Sequence, residues 1–245
     1  MERAAERVLD DRPVSRYRHI FFDLDHTLWD FRTNSRATLK ELYTELGLPE
    51  KGIADVEEFI GAYEEINTAL WAQYASGGVD KDVLRVLRFR NTFLQFGVKD
   101  DKLARNIGHL YIERCPRRKV LMSGTIDMLE QLRGSADLHI ITNGFQETQG
   151  TKLSCSGLVG YFDRVITSEQ AGARKPDERI FRYALRKANA TAEESVMIGD
   201  DVVADIQGAR NAGMHQILYD PVGRHGGVKA THTVAHLRDL LLLLL

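Results

Sequence analysis

Short apolar runs alternate with amphipathic stretches from about residue 118 to the end of the 245-residue chain. This alternation is the order expected of a parallel sheet covered by helices. The predicted strands, one of which precedes this region, are HIFFD (19–23), LHIIT (138–142), RVITS (164–168), SVMIGD (195–200) and HQILY (215–219). We therefore expect an α/β fold with a doubly wound parallel sheet flanked by helices.

Residues 30–117 differ, because they show no convincing strand pattern and their apolar residues recur at helical spacing. The predicted helical segments of this region are 39–46, 56–74, 81–96 and 101–115. We expect 30–117 to form an all-helical cap inserted into an α/β core of residues 1–29 and 118–245, with 1–16 as an exposed leader. Ligands of open α/β sheets bind beyond the carboxyl ends of the strands, so an insert after the first strand could cover such a site.

Composition argues against several classes of function. The 33 basic residues nearly balance the 35 acidic ones, so no overall field would attract polymeric nucleic acid or an anionic membrane. The longest apolar run, 240–245, is far shorter than the roughly 20 residues that span a bilayer, and it is typical of the last turn of an amphipathic helix. The N-terminal stretch lacks a secretory pattern, and Cys115 and Cys155 have neither disulfide nor metal-ligand spacing. We expect a cytoplasmic protein.

The stretch FFDLDHTLWD, residues 21–30, places two acids at the end of the first predicted strand. Side chains alternate faces along an extended segment, so Asp23 and Asp25 should point the same way. Two neighbouring carboxylates oppose folding unless a cation neutralises them, and hard oxygen ligands of this kind suit Mg²⁺. Taken alone, the pattern fits an acidic turn that caps the next helix equally well.

Polar residues also follow two later strands. IITNG ends in Thr142, Asn143 and a glycine, which together can bring a hydroxyl and main-chain N–H groups to a phosphate. In GARKPDERIF, Lys175 precedes Pro176, and we expect this proline at the first position of a helix. Alone, the first stretch is more often an ordinary strand exit and the second a solvent-exposed lysine.

A fourth stretch, MIGDDVVAD, carries Asp200 and Asp201 at a strand end and Asp205 at a predicted helix N-cap. All four stretches lie at the carboxyl ends of predicted parallel strands, where a doubly wound sheet gathers its functional loops. Together they hold a carboxylate pair, a hydroxyl, a lysine and a further carboxylate. Phosphoryl transfer requires such groups as nucleophile, proton shuttle and charge neutralisers.

The ordered set DLDHT, TNG, KP and GDDVVAD resembles the four motifs of the haloacid dehalogenase (HAD) superfamily. The resemblance implies a Rossmann-like core with a helical cap inserted after the first motif. More narrowly, ALWAQYASGGVDKDVLRVLRF, IITNGFQETQGTKLSCSGLVGYFD and KPDERIF resemble the pyrimidine-type nucleoside 5′-monophosphate phosphatases. This implies a Mg²⁺-dependent phosphatase that acts on small phosphate monoesters, with nucleoside 5′-monophosphates as the favoured substrates.

The resemblance also implies roles for individual residues. Asp23 would be the nucleophile that forms an aspartyl-phosphate, and Asp25 would protonate the leaving oxygen and then activate water. The implied phosphate-binding residues are Thr142, Asn143 and Lys175. The implied Mg²⁺ ligands are Asp23, the main-chain carbonyl of Asp25, and Asp200. Asp205, with Asp201 beside it, would support the site by orienting Lys175 or a water molecule on the metal.

Several alternatives stay open. A dehalogenase also uses an aspartate nucleophile, but its halide leaving group needs no protonation, so Asp25 argues against it. A sugar-phosphate phosphatase or phosphomutase keeps both acids and is disfavoured only by the cap sequence. A non-catalytic binding protein usually lacks a nucleophile or metal ligand. Tyr63, Trp71, Tyr74 and Phe89 could stack on a nucleobase, although most aromatics at helical spacing are core residues. We expect a monomer or weak dimer.

Overall fold

The computed structural model of the protein describes residues 15–245. Its strands form one six-stranded sheet of order β3-β2-β1-β4-β5-β6, and every neighbouring pair is parallel. The strands are β1 His19–Phe22, β2 Asp137–Thr142, β3 Arg164–Thr167, β4 Ser195–Gly199, β5 His215–Tyr219 and β6 His232–Val234. The predicted α/β fold with a parallel sheet is confirmed, and β6 is an edge strand that the sequence did not predict.

Helices precede, follow and connect these strands. They are α1 Phe31–Glu45, α2 Val56–Ala75, α3 Lys81–Gln95, α4 Asp101–Arg114, α5 Thr125–Leu132, α6 Gln146–Cys155, α7 Ser168–Ala171, α8 Glu178–Ala188, α9 Gly208–Asn211 and α10 Leu241–Leu244. A π-helical turn, Val202–Gln207, leads into α9. Helices α1, α2 and α4 begin where Asp30, Asp55 and Asp100 accept hydrogen bonds from first-turn N–H groups. These caps satisfy donors that a helix start leaves without partners.

The central strands are buried on both faces, as expected for apolar runs in a parallel sheet. All residues of β1 and β4 are buried. Phe22, the last residue of β1, lies opposite Ile140 on β2 and Ile198 on β4. This register brings the residues that follow β1, β2 and β4 to the same edge of the sheet.

Contacts divide the chain into two compact units. Among the described residues, the α/β unit comprises 15–28, Met122–Asn143 and Gly160–Leu245, and the helical unit comprises Trp29–Leu121 and Gly144–Val159. Residues 144–159, which include α6, group with the helical insert, whereas the sequence assigned them to the α/β core. The domain boundaries drawn from the sequence stay a prediction.

The first and last described residues belong to the α/β unit. Leu240 and Leu244 are fully buried while Leu242 is 87% exposed, so the terminal leucines form a short amphipathic turn. Ser15 donates its main-chain N–H to Ser135, and Arg16 donates to Leu244. The rest of the predicted leader, residues 1–14, lies outside the described residues. Among residues 15–245, no helix has the length and apolar character needed to cross a membrane.

Candidate active site

Asp23 directly follows β1 in the centre of the sheet. Its main-chain N–H donates to the carbonyl oxygen of Ile198 at 2.9 Å, which extends the β1–β4 ladder by one residue. The side chain is buried, and its Oδ1 accepts a hydrogen bond from Lys175 Nζ at 2.5 Å. Burial raises the pKa of Asp23 well above its ordinary value, Lys175 opposes the rise, and Asp205 and Asp200 add to it. The lysine therefore favours the ionised form of this carboxyl group.

Lys175 is the buried cation of the site. Its Nζ donates to Asp23 Oδ1, to Asp205 Oδ1 at 2.6 Å and to the Ile141 carbonyl oxygen at 2.9 Å. Burial opposes the charge on Lys175, but Asp205 and Asp23 outweigh it and raise the pKa of the lysine above its ordinary value. All three ammonium N–H bonds thus have acceptors, and the lysine is held in one orientation.

Asp205 orients Lys175 from inside the π-helical turn. Its Oδ1 accepts from the lysine, and its Oδ2 accepts from the main-chain N–H of Asp201 at 3.0 Å. The N-cap prediction for Asp205 was wrong, because Asp201 caps this turn by accepting from Val203 and Ala204. A side chain on Gly199 would place its Cβ 2.2 Å from Asp205 Oδ2, so β4 must end in glycine for Asp205 to lie there.

Asp200 and Thr27 form a further contact at this edge of the sheet. Thr27 is fully buried, and its Oγ1 donates to Asp200 Oδ1 at 3.0 Å. Burial and then Asp205 raise the pKa of Asp200 to about 6, against the effects of His26 and Thr27. No role was predicted for Thr27. Its position two residues after Asp25 in DLDHT was the available signal, but spacing alone does not reveal a contact made across 173 residues.

Three acids converge at this point. Asp23, Asp200 and Asp205 each offer a carboxylate oxygen, and these atoms all lie within 4.8 Å of one another. Burial also raises the pKa of Asp205, so all three carboxylates are in surroundings that disfavour their negative charge. A set of hard oxygen donors with excess negative charge suits a divalent cation such as Mg²⁺. Because both oxygens of Asp205 already accept hydrogen bonds, Asp23 and Asp200 are the acids best placed to bind it.

Asn143 holds the loop that carries the lysine. Its Nδ2 donates to the Lys175 carbonyl oxygen at 3.0 Å, and its Oδ1 accepts from the Lys175 N–H at 2.9 Å. This supports a positioning role for the side chain, and binding of phosphate by Asn143 stays a prediction. Pro176 does not begin the next helix as expected, because Asp177 is the N-cap and α8 begins at Glu178.

Asp25 and Thr142 occupy the ends of neighbouring strands. Asp25 lies two residues beyond Asp23 and is half-buried, so it is more accessible than the buried Asp23. His26 follows in a turn with φ of 67°. Thr142 is buried at the end of β2, opposite Thr167 of β3. The structure thus joins Asp23, Lys175, Asp200 and Asp205 directly, with Asp201 and Asn143 in support, and places Asp25 and Thr142 at the same edge of the sheet.

Comparison with known proteins identifies this arrangement. A model of the haloacid dehalogenase-like hydrolases matches residues 17–213. The chain belongs to this family. Pyrimidine 5′-nucleotidase PynA of Streptococcus pneumoniae is 34% identical over 229 residues, which cover 92% of this chain and 94% of PynA. Pyrimidine 5′-nucleotidase YjjG of Escherichia coli is 32% identical over 90% of this chain and 95% of its own length.

A solved structure of the HAD family agrees with the fold. The HAD-hydrolase YfnB of Bacillus subtilis, crystallised with magnesium bound, has a TM-score of 0.84 and 28% identity, and the match covers 93% of this chain and 98% of that chain. The protein described here is therefore a HAD-family phosphatase with the Rossmann-like core of its family.

Proposed function

We propose that the protein is a Mg²⁺-dependent phosphatase that hydrolyses nucleoside 5′-monophosphates through an aspartyl-phosphate intermediate. The observation that carries this proposal is the buried Asp23, held by Lys175 and lying within 4.8 Å of carboxylate oxygens of Asp200 and Asp205. The likeness to PynA and YjjG over most of the chain supports a nucleotide as the substrate.

Mg²⁺ fits the oxygen donors of the site. We assign it to Asp23, the main-chain carbonyl of Asp25, and Asp200, whose Oδ1 accepts from Thr27. When bound, the ion would supply positive charge that offsets the phosphoryl oxygens. The magnesium in the YfnB crystal supports this choice of metal.

Asp23 is the proposed nucleophile. One carboxylate oxygen would form a bond to phosphorus while the bond from phosphorus to the ester oxygen breaks. Lys175 would orient this carboxyl group, since it donates to Asp23 Oδ1 and opposes the rise in the pKa of Asp23 that burial causes. Thr142 and Lys175 are the proposed contacts of the phosphoryl oxygens.

Asp25 is the proposed acid and base. It would give a proton to the departing ester oxygen and later take one from the water that cleaves the aspartyl-phosphate. Its partial exposure supports this role, because the group must exchange its proton with substrate and solvent. Asp23 is less accessible to solvent than Asp25 and accepts a hydrogen bond from Lys175, which favours the ionised form that a nucleophile needs.

Phosphate release from a panel of esters tests the proposal. With Mg²⁺ present, the protein should cleave nucleoside 5′-monophosphates faster than ribose 5-phosphate, and Asp23→Asn should reduce the rate by about 10³-fold or more. The matched control is Asp163→Asn, which changes an acid of the same unit at the other end of β2. Full activity of Asp23→Asn would refute the assigned nucleophile. Faster turnover of sugar phosphates, or bisphosphate-dependent isomerisation of hexose phosphates, would favour those alternatives instead.

The remaining expectations extend the proposal. A reducing, cytoplasmic location is part of the proposal, because the sequence spacing of Cys115 and Cys155 fits neither a disulfide framework nor a metal site. A monomer or weak dimer, without polymeric nucleic acid or membrane partners, is likewise part of the proposal.

A further inference from the structure

Gly208 begins α9, directly after the π-helical turn that carries Asp205. Its φ of −61° and ψ of −48° lie in the ordinary helical region, which residues with a side chain adopt readily. Glycine within a helical segment lowers stability relative to alanine, because it loses more conformational freedom on folding. The backbone conformation therefore does not explain a glycine at this position.

The space around Gly208 does explain it. A side chain here would place its Cβ 2.6 Å from Phe181 Cε2 and 2.9 Å from Pro176 Cα, whereas ordinary contacts begin at 3.4 Å. Pro176 Cα belongs to the main chain, and Phe181 is fully buried on α8. Neither atom can move aside without disturbing a close-packed interior. The absence of a side chain is what lets the start of α9 come this close.

The Phe181 ring is a fixed surface for this contact. It belongs to a buried hydrophobic cluster that includes Phe21 of β1, Ile141 of β2 and Met197 of β4. Because the ring packs with residues of three central strands, the position of Gly208 against it is tied to the sheet whose strand ends carry the site.

The π-helical turn and the start of α9 contact residues 175–176 at two points. Asp205 accepts a hydrogen bond from Lys175 Nζ at 2.6 Å, and Gly208, three residues later, lies against Pro176. Residues three or four apart lie on the same side of a helical turn, so one side makes both contacts. The distance between Gly208 and Pro176 therefore also determines how far the Asp205 carboxylate reaches towards the lysine.

A methyl group at position 208 would change that reach. Restoring ordinary contact requires a shift of 0.5 Å from Pro176 and 0.8 Å from Phe181, the differences between 3.4 Å and the distances of 2.9 and 2.6 Å. Such a shift would lengthen the 2.6 Å hydrogen bond from Lys175 to Asp205 past the roughly 2.9 Å typical of charged groups. Because the same ammonium group donates to Asp23, the nucleophile would lose part of its orientation.

We propose that Gly208 is a positioning residue for the nucleophile. Its missing side chain sets how closely the π-helical turn packs, and so where Asp205 holds Lys175. The lysine in turn orients Asp23. This inference rests on the proposed function, because it assigns part of the alignment of that reaction to Gly208. Gly199 has a different role, since its missing side chain leaves room for the Asp205 carboxylate itself.

Steady-state kinetics with uridine 5′-monophosphate and Mg²⁺ are the first test. Gly208→Ala should lower kcat about 100-fold and change KM less than about fivefold, because alignment of a nucleophile matters more in the transition state than in substrate binding. The thermal midpoint should fall by no more than about 10 °C, so the variant is folded during the assay.

The matched control is Gly61→Ala on α2. Gly61 is also helical, but an added Cβ would meet nothing within 4 Å beyond its own helix. The variant therefore reports what alanine does to a helical glycine where space is free. Its kcat should equal that of the unchanged protein.

Proton–nitrogen NMR of the lysine ammonium groups is the second test, and it needs no activity. A buried ammonium group with acceptors for all its N–H bonds exchanges protons with water slowly, so it gives its own signal. Lys175 and Lys152 are the buried lysines among residues 15–245, and Lys152→Arg assigns the two signals. Gly208→Ala should shift or broaden the Lys175 signal and leave the Lys152 signal unchanged. Gly61→Ala should leave both unchanged.

These measurements separate the possible failures. A loss of kcat with an unchanged Lys175 signal would mean that Gly208 acts by another route, and an unchanged kcat would mean that the reaction tolerates the shift. Either result overturns the inference and leaves the phosphatase proposal intact. If the unchanged protein cleaves no ester, the proposed function fails, and the NMR test decides alone: a Lys175 signal that is absent, or that Gly208→Ala does not change, overturns the inference.

A double variant covers the case in which Gly208→Ala does not fold. Phe181→Leu relieves the closer of the two contacts, so Gly208→Ala with Phe181→Leu replaces the single variant in both tests. The remaining contact with Pro176 should still lower kcat about tenfold and alter the Lys175 signal. Phe181→Leu alone is its control, and equal kcat values and Lys175 signals in the two proteins would overturn the inference.

Discussion

Buried ionisable groups have opposite environments at the two ends of the central strands. At the carboxyl end, Asp23, Asp205 and Lys175 are buried together, and the lysine donates hydrogen bonds to both acids. At the amino end, His19 on β1 and His139 on β2 are each 2% exposed and share a hydrogen bond of 3.2 Å between ring nitrogens. Burial, and then His19, lower the pKa of His139 to about 4, so this ring is neutral near pH 7.

The difference is what the proposed function predicts, with the chemistry at the carboxyl end of the strands. A group that loses its charge on burial avoids the desolvation cost, as the neutral ring of His139 does, and its hydrogen bond with His19 satisfies one ring nitrogen of each residue. A buried ion pair is often no more stable than apolar residues of the same volume, so stability alone does not require the aspartates and the lysine. The proposed phosphoryl transfer would explain their retention, because it needs a charged nucleophile and a cation.

Replacing Lys175 should cause the largest loss of stability and activity among these variants. Lys175→Met would leave Asp23 and Asp205 buried without a cation, and breaking a buried pair in this way typically costs about 3–5 kcal/mol. Urea unfolding should show this loss, and phosphate release should fall to background. The matched control is Lys229→Met, because Lys229 is exposed.

The double variant Lys175→Met with Asp205→Asn sharpens this test. It removes one of the two acids left without a partner, so it should recover part of the stability lost in Lys175→Met while remaining inactive. If Lys175→Met were as stable as the unchanged protein, the acids would not be ionised in the folded state, and the contrast between the two ends of the sheet would disappear.

Acidification should lower the contribution of the buried His139 to the free energy of unfolding. The folded pKa of His139, about 4, lies below the ordinary value of 6.5, so the unfolded state binds a proton first as the pH falls. The contribution of His139 to the free energy of unfolding is therefore complete above pH 6.5 and is lost as the pH falls towards 4. The loss between about pH 7.5 and pH 5 amounts to about 2 kcal/mol. Burial, His19 and Arg164 all lower the pKa of this ring, and Asp163 alone among the resolved causes opposes them.

The measurement is the free energy of unfolding in urea, compared between the unchanged protein and His139→Gln at about pH 7.5 and at about pH 5. This subtraction removes the titration of other groups, which both proteins share. His109→Gln is the control, because His109 is exposed on α4, and its pH dependence should match that of the unchanged protein. An identical pH dependence for His139→Gln would mean that His139 is not kept neutral by folding.

Sequence patterns predicted the fold where burial is continuous. Strands β1 to β5 are apolar runs because a parallel sheet is covered on both faces, and that pattern is visible without coordinates. β6 escaped prediction because His232–Val234 is a three-residue edge strand in which only Val234 is buried. The grouping of 144–159 with the helical unit depends on tertiary contacts that no local pattern reports.

The site was predictable in its residue types but less so in its contacts. Motif order identified Asp23, Lys175, Asp200 and Asp205, because each follows a strand at the same edge of the sheet. The N-cap of the π-helical turn was assigned to the wrong acid, since Asp201 and Asp205 both suit such a position in sequence. Hydrogen bonds between distant segments have no periodicity, so the contact from Thr27 was missed.

Removing the hydroxyl of Thr27 should have an intermediate effect at the charged end. Thr27→Val keeps the shape of the side chain but leaves Asp200 without one donor, which should cost about 1.5 kcal/mol in urea unfolding. The Mg²⁺ concentration for half-maximal phosphate release should rise about tenfold, because partners of metal ligands orient them. Thr27→Ser, which keeps the hydroxyl, should restore both values, and an unchanged Mg²⁺ requirement in Thr27→Val would argue against Asp200 as a ligand.

The smallest effect is expected at another hydrogen bond near the amino ends of the strands. Tyr17 Oη and His215 Nδ1 are hydrogen-bonded at 2.7 Å just before β1 and at the start of β5. Tyr17→Phe should lower the free energy of unfolding by about 1 kcal/mol or less, because a single hydrogen bond contributes little net stability. Its kcat/KM should equal that of the unchanged protein. A loss of activity without a loss of stability would mean that the amino end of the sheet also influences the reaction. That result would contradict the contrast between the two ends.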